Sequence, residues 1–171
     1  MKPYDAAKDL PYDQQYPHDY EGKIVLDVGA DWGSTAEYFL SHGALKVVAV
    51  EANQAHYDDL VKNTAGMPVT PIQCNVSGHS DWERLIDTHA PDVVKADCEG
   101  CEAHLVDVPS DVLGKCPVWI VETHNPSIYT AVAEKFRLAG FSVSTICEGT
   151  PEGMGTNVRI IKCEKSEYLM R

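Results

Sequence analysis

From Lys23 onward, short apolar runs alternate with longer segments whose apolar residues recur at helical spacing. The runs Lys23–Val28, Lys46–Glu51, Val69–Asn75, Asp92–Asp97 and Val118–Thr123 read as strands. Helices are expected from Ser34 to about His42, from Gln54 to Lys62, and from Ser80 to just before Pro91. A short helix should run from Glu102 to a break at Pro109, and a longer one from Ile128 to Ala139, where Gly140 ends it. Ser34 with Glu37, and Ser80 with Glu83, have the S-x-x-E spacing of a capping box, which predicts that each serine starts its helix. Such alternation of strand and helix implies a mostly parallel sheet. Two last runs, near Val143–Cys147 and Asn157–Lys162, are joined by the turn-rich Gly149–Gly155 and predict a closing antiparallel hairpin. The expected fold is α/β: a doubly wound, mostly parallel seven-stranded sheet with a C-terminal hairpin.

Residues 1–22 break this rhythm. Pro3, Pro11 and Pro17 oppose a continuous helix, and tyrosines recur at positions 4, 12, 16 and 20. This segment is expected to be an arm packed along the core or a lid over the site, with residues 23–171 as one domain. A chain of 171 residues is long enough for one such core, with little left for a separate substrate domain. Loops, the arm or a second copy in a homodimer must then complete an acceptor pocket.

Ligands of doubly wound sheets bind beyond the carboxyl ends of the strands. There, Val25-Leu26-Asp27-Val28-Gly29-Ala30-Asp31-Trp32-Gly33 is an apolar run that turns on two glycines into a helix. Glycine at positions 29 and 33 permits close backbone approach and φ values that a side chain opposes. The helix start offers N–H groups to a ligand. Glu51 ends the next strand, where a carboxylate can accept bonds from both hydroxyls of a ribose. A nucleoside-containing cofactor is expected. Dinucleotide folds carry G-x-G-x-x-G, but this turn reads D-x-G-x-x-x-G. Carboxylates at Asp27 and Asp31 would repel a diphosphate and suit a ligand with an ammonium and a sulfonium, which points to S-adenosyl-L-methionine.

Later segments narrow the match. Lys95-Ala96-Asp97-Cys98-Glu99-Gly100-Cys101-Glu102 resembles the K-x-D-x-E-G-x-E segment of the FkbM-like class I methyltransferases. Val121-Glu122-Thr123-His124-Asn125 resembles their E-x-H segment, and Asn75-Val76-Ser77 is similar to their polar turn after the third strand. The resemblance runs from about Lys23 to Phe141 and implies a Rossmann-like methyltransferase core. It implies that Asp27, Gly29, Ala30 and Gly33, beside Asp31, hold the methionine part of the cofactor. Glu51 would hold the ribose, and Asn75 with Val76 would edge the adenine. The family often has Asn in place of Asp31 and apolar residues in place of Cys98 and Cys101.

Asp97, Glu99, Glu122 and His124 stand at the ends of the fourth and fifth expected strands and are the candidate catalytic residues. One of them would take a proton from an acceptor hydroxyl during in-line methyl transfer. Imidazole titrates near neutrality, which suits His124, while the resemblance places Asp97 nearest the reacting centre. Other roles for these groups are to cap helices and hold loops, or to bind Mg2+, which is the lesser reading. Cys98-x-x-Cys101 followed by His104 has a metal-like spacing, but a structural zinc site needs four ligands and no second C-x-x-C exists. No metal, and reduced thiols, are expected.

A net charge of −12, with only 14 Lys and Arg, argues for a small-molecule acceptor and against nucleic acid or an anionic membrane. No apolar segment approaches the roughly 20 residues of a membrane span. Met1-Lys2-Pro3-Tyr4-Asp5 lacks a signal-peptide core, so a cytoplasmic protein is expected. The leading expectation is a methyltransferase acting on a hydroxyl of a small or carbohydrate-like acceptor. The alternatives are an N-methyltransferase acting on nucleic acid or protein, and a non-catalytic cofactor-binding subunit.

Overall fold

A computed structural model describes residues 11–149 and 158–165 of the chain. Its elements in order are α1 (Tyr12–Gln15), β1 (Ile24–Val28), α2 (Ser34–Ser41), β2 (Lys46–Glu51), α3 (Gln54–Asn63), β3 (Val69–Gln73) and α4 (His79–His89). There follow β4 (Val93–Ala96), a 3-10 turn (Cys101–Asp107), α5 (Ser110–Leu113), β5 (Val118–Thr123), α6 (Pro126–Leu138), β6 (Phe141–Gly149) and β7 (Val158–Lys165). Residues 1–10 of the expected arm and 150–155 of the expected closing turn lie outside the described residues.

The strands form one sheet in the order β3-β2-β1-β4-β5-β7-β6. The first five are parallel, and β7 runs antiparallel to both β5 and β6. The expected α/β sheet with its C-terminal hairpin is therefore present. Chain direction reverses its winding between β1 and β4, which opens a crevice at their carboxyl ends.

Successive side chains of a strand face opposite ways, so each central strand feeds two cores. Leu26, Val28, Val94, Trp119 and Val121 pack with Trp82 and Leu85 of α4 and Phe136 of α6. Val25, Val47, Ala49, Val93 and Ile120 pack on the other face with Phe39 of α2, Leu60 of α3, and Tyr16 and Tyr20 of the arm. The described part of the arm thus lies against the second core, with the Tyr12 hydroxyl 2.8 Å from Ser34 Oγ.

Neither expected capping box forms. Gly33, left-handed at φ +100°, and Gly78 precede α2 and α4, and neither helix has a side-chain cap. Ser34 is already helical and its hydroxyl is engaged by Tyr12, while Asp81 rather than Ser80 accepts the Ser77 N–H. The caps that do form are asparagines. Asn53 Oδ1 accepts from the N–H groups of Ala55 and His56, and Asn125 Oδ1 accepts from Ser127 with Pro126 in the first turn. Each such cap contributes about 1 kcal/mol.

Candidate active site

Asp27 on β1 and Lys95 on β4 are direct neighbours in register, on the face covered by α2, α3 and the arm. Both are buried, at 0% and 1% exposure. Lys95 Nζ lies 3.0 Å from Asp27 Oδ1 and donates to the Gly29 carbonyl at 2.6 Å. The Thr35 hydroxyl of α2 donates to Asp27 Oδ2. Burial opposes a charge on Lys95, but Asp27 and Asp97 overcome it and raise its pKa, so the ammonium persists. Asp27 is therefore the floor of the site and does not line its cavity.

That cavity, about 690 Å³, lies beyond the ends of β1 to β4. Its walls include Gly29, Asp31, Glu51, Asn53, Asn75, Val76, Asp97 and Glu99. The size falls within the roughly 300–1,000 Å³ of small-molecule and cofactor sites. Glu51 is fixed from below: Asp31 N–H donates to Oε2 at 2.9 Å and Asn53 N–H to Oε1 at 2.7 Å. A non-glycine residue at φ +49°, Asp31 makes the sharp turn that aims its N–H at Glu51. The Asp31 carboxylate pairs with His56 Nδ1 at 2.7 Å.

The glycine turn works differently from its sequence reading. N–H groups of Gly29 and Ala30 both donate to the Val50 carbonyl, and that of Asp31 goes to Glu51. These three donors are spent inside the protein. A Cβ on Gly29, at φ +81°, would stand 1.7 Å from the Asp97 carbonyl oxygen, so this glycine lets β1 and the β4 loop meet. At Gly33 it would meet Thr64 and Leu60 at 3.0 and 3.1 Å. Ala30 and Gly33 do not line the cavity, and Ala30 is buried in the second core.

The candidate catalytic residues converge on His124. Its Nε2 lies 3.2 Å from Glu122 Oε1, 3.7 Å from Glu99 Oε2 and 3.9 Å from Asp97 Oδ1. Nδ1 lies 3.2 Å from Oε1 of Glu102, which the sequence reading did not single out. Burial alone would lower the His124 pKa, but the carboxylates of Glu102, Glu122 and Glu99 raise it to about 10. Asp97 and Glu99 line the cavity; Glu122 and His124 stand behind them. Asp97 Oδ2 accepts from the Tyr16 hydroxyl of the arm at 3.5 Å and lies 3.9 Å from Lys95 Nζ.

Cys98 and Cys101 are joined by a disulfide, which corrects the expectation of reduced thiols at this pair. Glu99 at φ +56° and Gly100 at φ +140° turn the chain back so that the two Cα atoms stand 5.6 Å apart. Cys74, Cys116, Cys147 and Cys163 are free. Sequence reasoning also passed over Lys95, although a lysine within Val93-Val94-Lys95-Ala96 is a signal, because a charge inside an apolar strand needs a partner. Glu102 closes the K-x-D-x-E-G-x-E segment but was read only as a helix start, and nothing local marks Tyr16 as part of the site.

This sheet order and strand-end crevice define the class I S-adenosylmethionine-dependent methyltransferase fold, to which the neighbouring solved structures belong. They include precorrin-6y C5,15-methyltransferase of Geobacter metallireducens GS-15, at TM-score 0.62 and 18% identity over 90% of this chain and 85% of that one. Fibrillarin of Aeropyrum pernix, with natively bound S-adenosyl-L-methionine, has TM-score 0.59 and 15% identity over 84% and 66%. The Mtq2–Trm112 complex of E. cuniculi, which methylates the termination factor eRF1, has TM-score 0.59 and 18% identity over 85% and 87%. No family model matches the chain. In sequence it is 32% identical over 132 residues to uncharacterized protein 65 of Sulfolobus islandicus filamentous virus (isolate Iceland/Hveragerdi), covering 71% of this chain and 75% of that one. The chain belongs to the family of that viral protein.

These neighbours correct one expectation. Fibrillarin of Methanococcus jannaschii, a pre-rRNA processing protein, shares the fold at TM-score 0.59 and 15% identity over 86% and 69%. With the eRF1 methylase, it overturns the inference that a nucleic acid acceptor is unlikely, and it makes a protein acceptor plausible as well. Net charge sums the whole surface, whereas an acceptor meets only a local part of it. No helix among the described residues is long and apolar enough to cross a membrane.

Proposed function

We propose that the chain is an S-adenosylmethionine-dependent methyltransferase of the FkbM-like kind that methylates a hydroxyl group. Glu51 carries the reading. Two backbone N–H groups hold its carboxylate at the cavity wall, and each oxygen keeps a lone pair for a ribose hydroxyl. Acidic walls at Asp31, Asp97 and Glu99 suit a cationic ligand, and the spent N–H groups of the turn offer no cradle for a diphosphate. Bound there, S-adenosyl-L-methionine would supply the methyl group and a neutral thioether leaving group. Asn75 and Val76 edge the adenine in this reading, and Asp27 acts through Lys95 and the Gly29 carbonyl by holding the turn. Asp97 takes the acceptor proton: it faces the cavity, whereas both nitrogens of His124 face carboxylates behind it. Among the described residues, 11–22 serve as a wall or lid beside the site.

Calorimetry tests the cofactor. S-adenosylhomocysteine should bind in the micromolar range, about −8 kcal/mol, and tighter binding of NAD would sink the assignment. A screen with labelled methyl donor against RNA, protein and carbohydrate pools then tests the acceptor. Label on hydroxyl oxygens supports the reading; label confined to nitrogen refutes it.

A further inference from the structure

Behind Asp97 and Glu99 lies a group of possible ligand atoms turned toward one another. Glu122 is 2% exposed, yet its Oε1 has no hydrogen-bond partner, and neither does the buried Nε2 of His124. The two atoms face each other at 3.2 Å without the alignment of a hydrogen bond. The imidazolium of His124 balances this carboxylate in the apo protein, and a divalent ion would displace the Nε2 proton and take both atoms as ligands. Asp97 Oδ1 completes a set of ligand atoms that all lie within 4.8 Å of one another. On the far side of the ring, Nδ1 meets Oε1 of Glu102, a carboxylate at 1% exposure that also accepts the Gly100 N–H at 2.8 Å. A metal-binding imidazole gives its second N–H to such a carboxylate, which fixes the tautomer and leaves the other nitrogen free to ligate.

We propose that Asp97 Oδ1, Glu122 Oε1 and His124 Nε2 bind one divalent first-row transition ion, with Glu99 as a fourth donor within reach. One imidazole among carboxylates favours Mn2+, Fe2+, Co2+ or Zn2+ over Mg2+ and Ca2+, which prefer oxygen alone. Thiolate does not compete, since Cys98 and Cys101 are joined to each other. Donors at about 2.1 Å from an ion stand roughly 3.0–3.4 Å apart. Glu122 and His124 are already at that spacing, and Asp97 Oδ1, 3.9 Å from Nε2, must move inward to reach it. Because Asp97 and Glu99 line the cavity, the open positions of the ion face the acceptor side. A role in orienting an acceptor hydroxyl rests on the methyltransferase reading; the ion site itself does not.

The test uses the full chain, stripped with EDTA, dialysed and titrated with Mn2+ while the free-ion EPR signal is followed. One equivalent should bind, and pulsed EPR should show a nitrogen coupling from the imidazole. Glu122→Gln and His124→Gln should each weaken binding at least tenfold, and Glu102→Gln about 10–100-fold through the ligand it orients. Glu134→Gln, on the exposed face of α6, should change nothing. Circular dichroism of each variant separates lost ligation from lost folding, and the nitrogen coupling needs no variant. No Mn2+ binding, binding without nitrogen coupling, or binding indifferent to Glu122→Gln and His124→Gln in folded variants would each overturn the site. Parallel titration with S-adenosylhomocysteine keeps the readings apart: Mn2+ bound without it removes the methyltransferase reading alone, and the reverse removes the ion site alone.

Discussion

At the β1–β2 edge of the site the backbone does the holding. Two N–H groups fix the Glu51 carboxylate, Val50 accepts the donors of the turn, and a glycine lets β1 meet the loop after β4. The β4–β5 edge instead uses charged side chains to hold one another: Lys95 among Asp27, Asp97 and a carbonyl, and His124 among Glu99, Glu102, Glu122 and Asp97. Backbone support leaves a carboxylate available to a ligand with little effect on stability. A network of buried charges ties function to stability, because each member neutralises another in a medium of low dielectric.

The largest expected effects fall on the second edge. Lys95→Met leaves Asp27 buried without its cation and should cost about 3–5 kcal/mol in urea denaturation. Asp27→Leu with Lys95→Met should recover most of that loss, and a double variant no more stable than the single would show that the pair is not the source. Asp97→Asn keeps the shape but cannot take a proton, so kcat should fall about 10²–10⁴-fold with cofactor affinity retained. An equal loss in cofactor affinity would move Asp97 into the binding set.

On the first edge, Glu51→Gln should lower S-adenosylhomocysteine affinity about 10–100-fold in calorimetry, since a charged hydrogen bond contributes about 1.5–3 kcal/mol. Its melting temperature should barely move, and a loss of stability as large as that of Lys95→Met would erase the contrast between the edges. The smallest effect lies outside both. Burial, helped by Lys162, lowers the His18 pKa to about 4. The fold therefore prefers neutral His18, and its contribution is complete above pH 6.5, the ordinary imidazole value, and is lost as pH falls from there toward 4. His18→Gln should flatten the dependence of the urea midpoint on pH within that window.

Much of this site was legible in the chain. Glu51, Asn75 and Asp97 end apolar runs, and the runs end where a doubly wound sheet binds its ligands. Lys95 with Asp97, and Glu122 with His124, are two residues apart at strand ends, a spacing that can bring each pair to one side of the sheet. The helix starts were read to within a residue, but their caps were misread, because left-handed Gly33 and extended Gly78 rather than Ser34 and Ser80 occupy the cap positions.

Asp27 and Glu51 mark the boundary of what a sequence determines. Both are acids at or next to the carboxyl end of an apolar strand and look alike in the chain; one is the buried partner of Lys95 and the other faces the cavity. Period and strand ends are local properties, set by residues a few positions apart, so the sequence alone determined the strands, their faces and the end of the sheet that carries the chemistry. Register between parallel strands, the return of Glu102 to His124 and the reach of Tyr16 to Asp97 join segments separated by tens of residues. Only the tertiary structure decided those, because the packing of both cores sets which charge finds which partner.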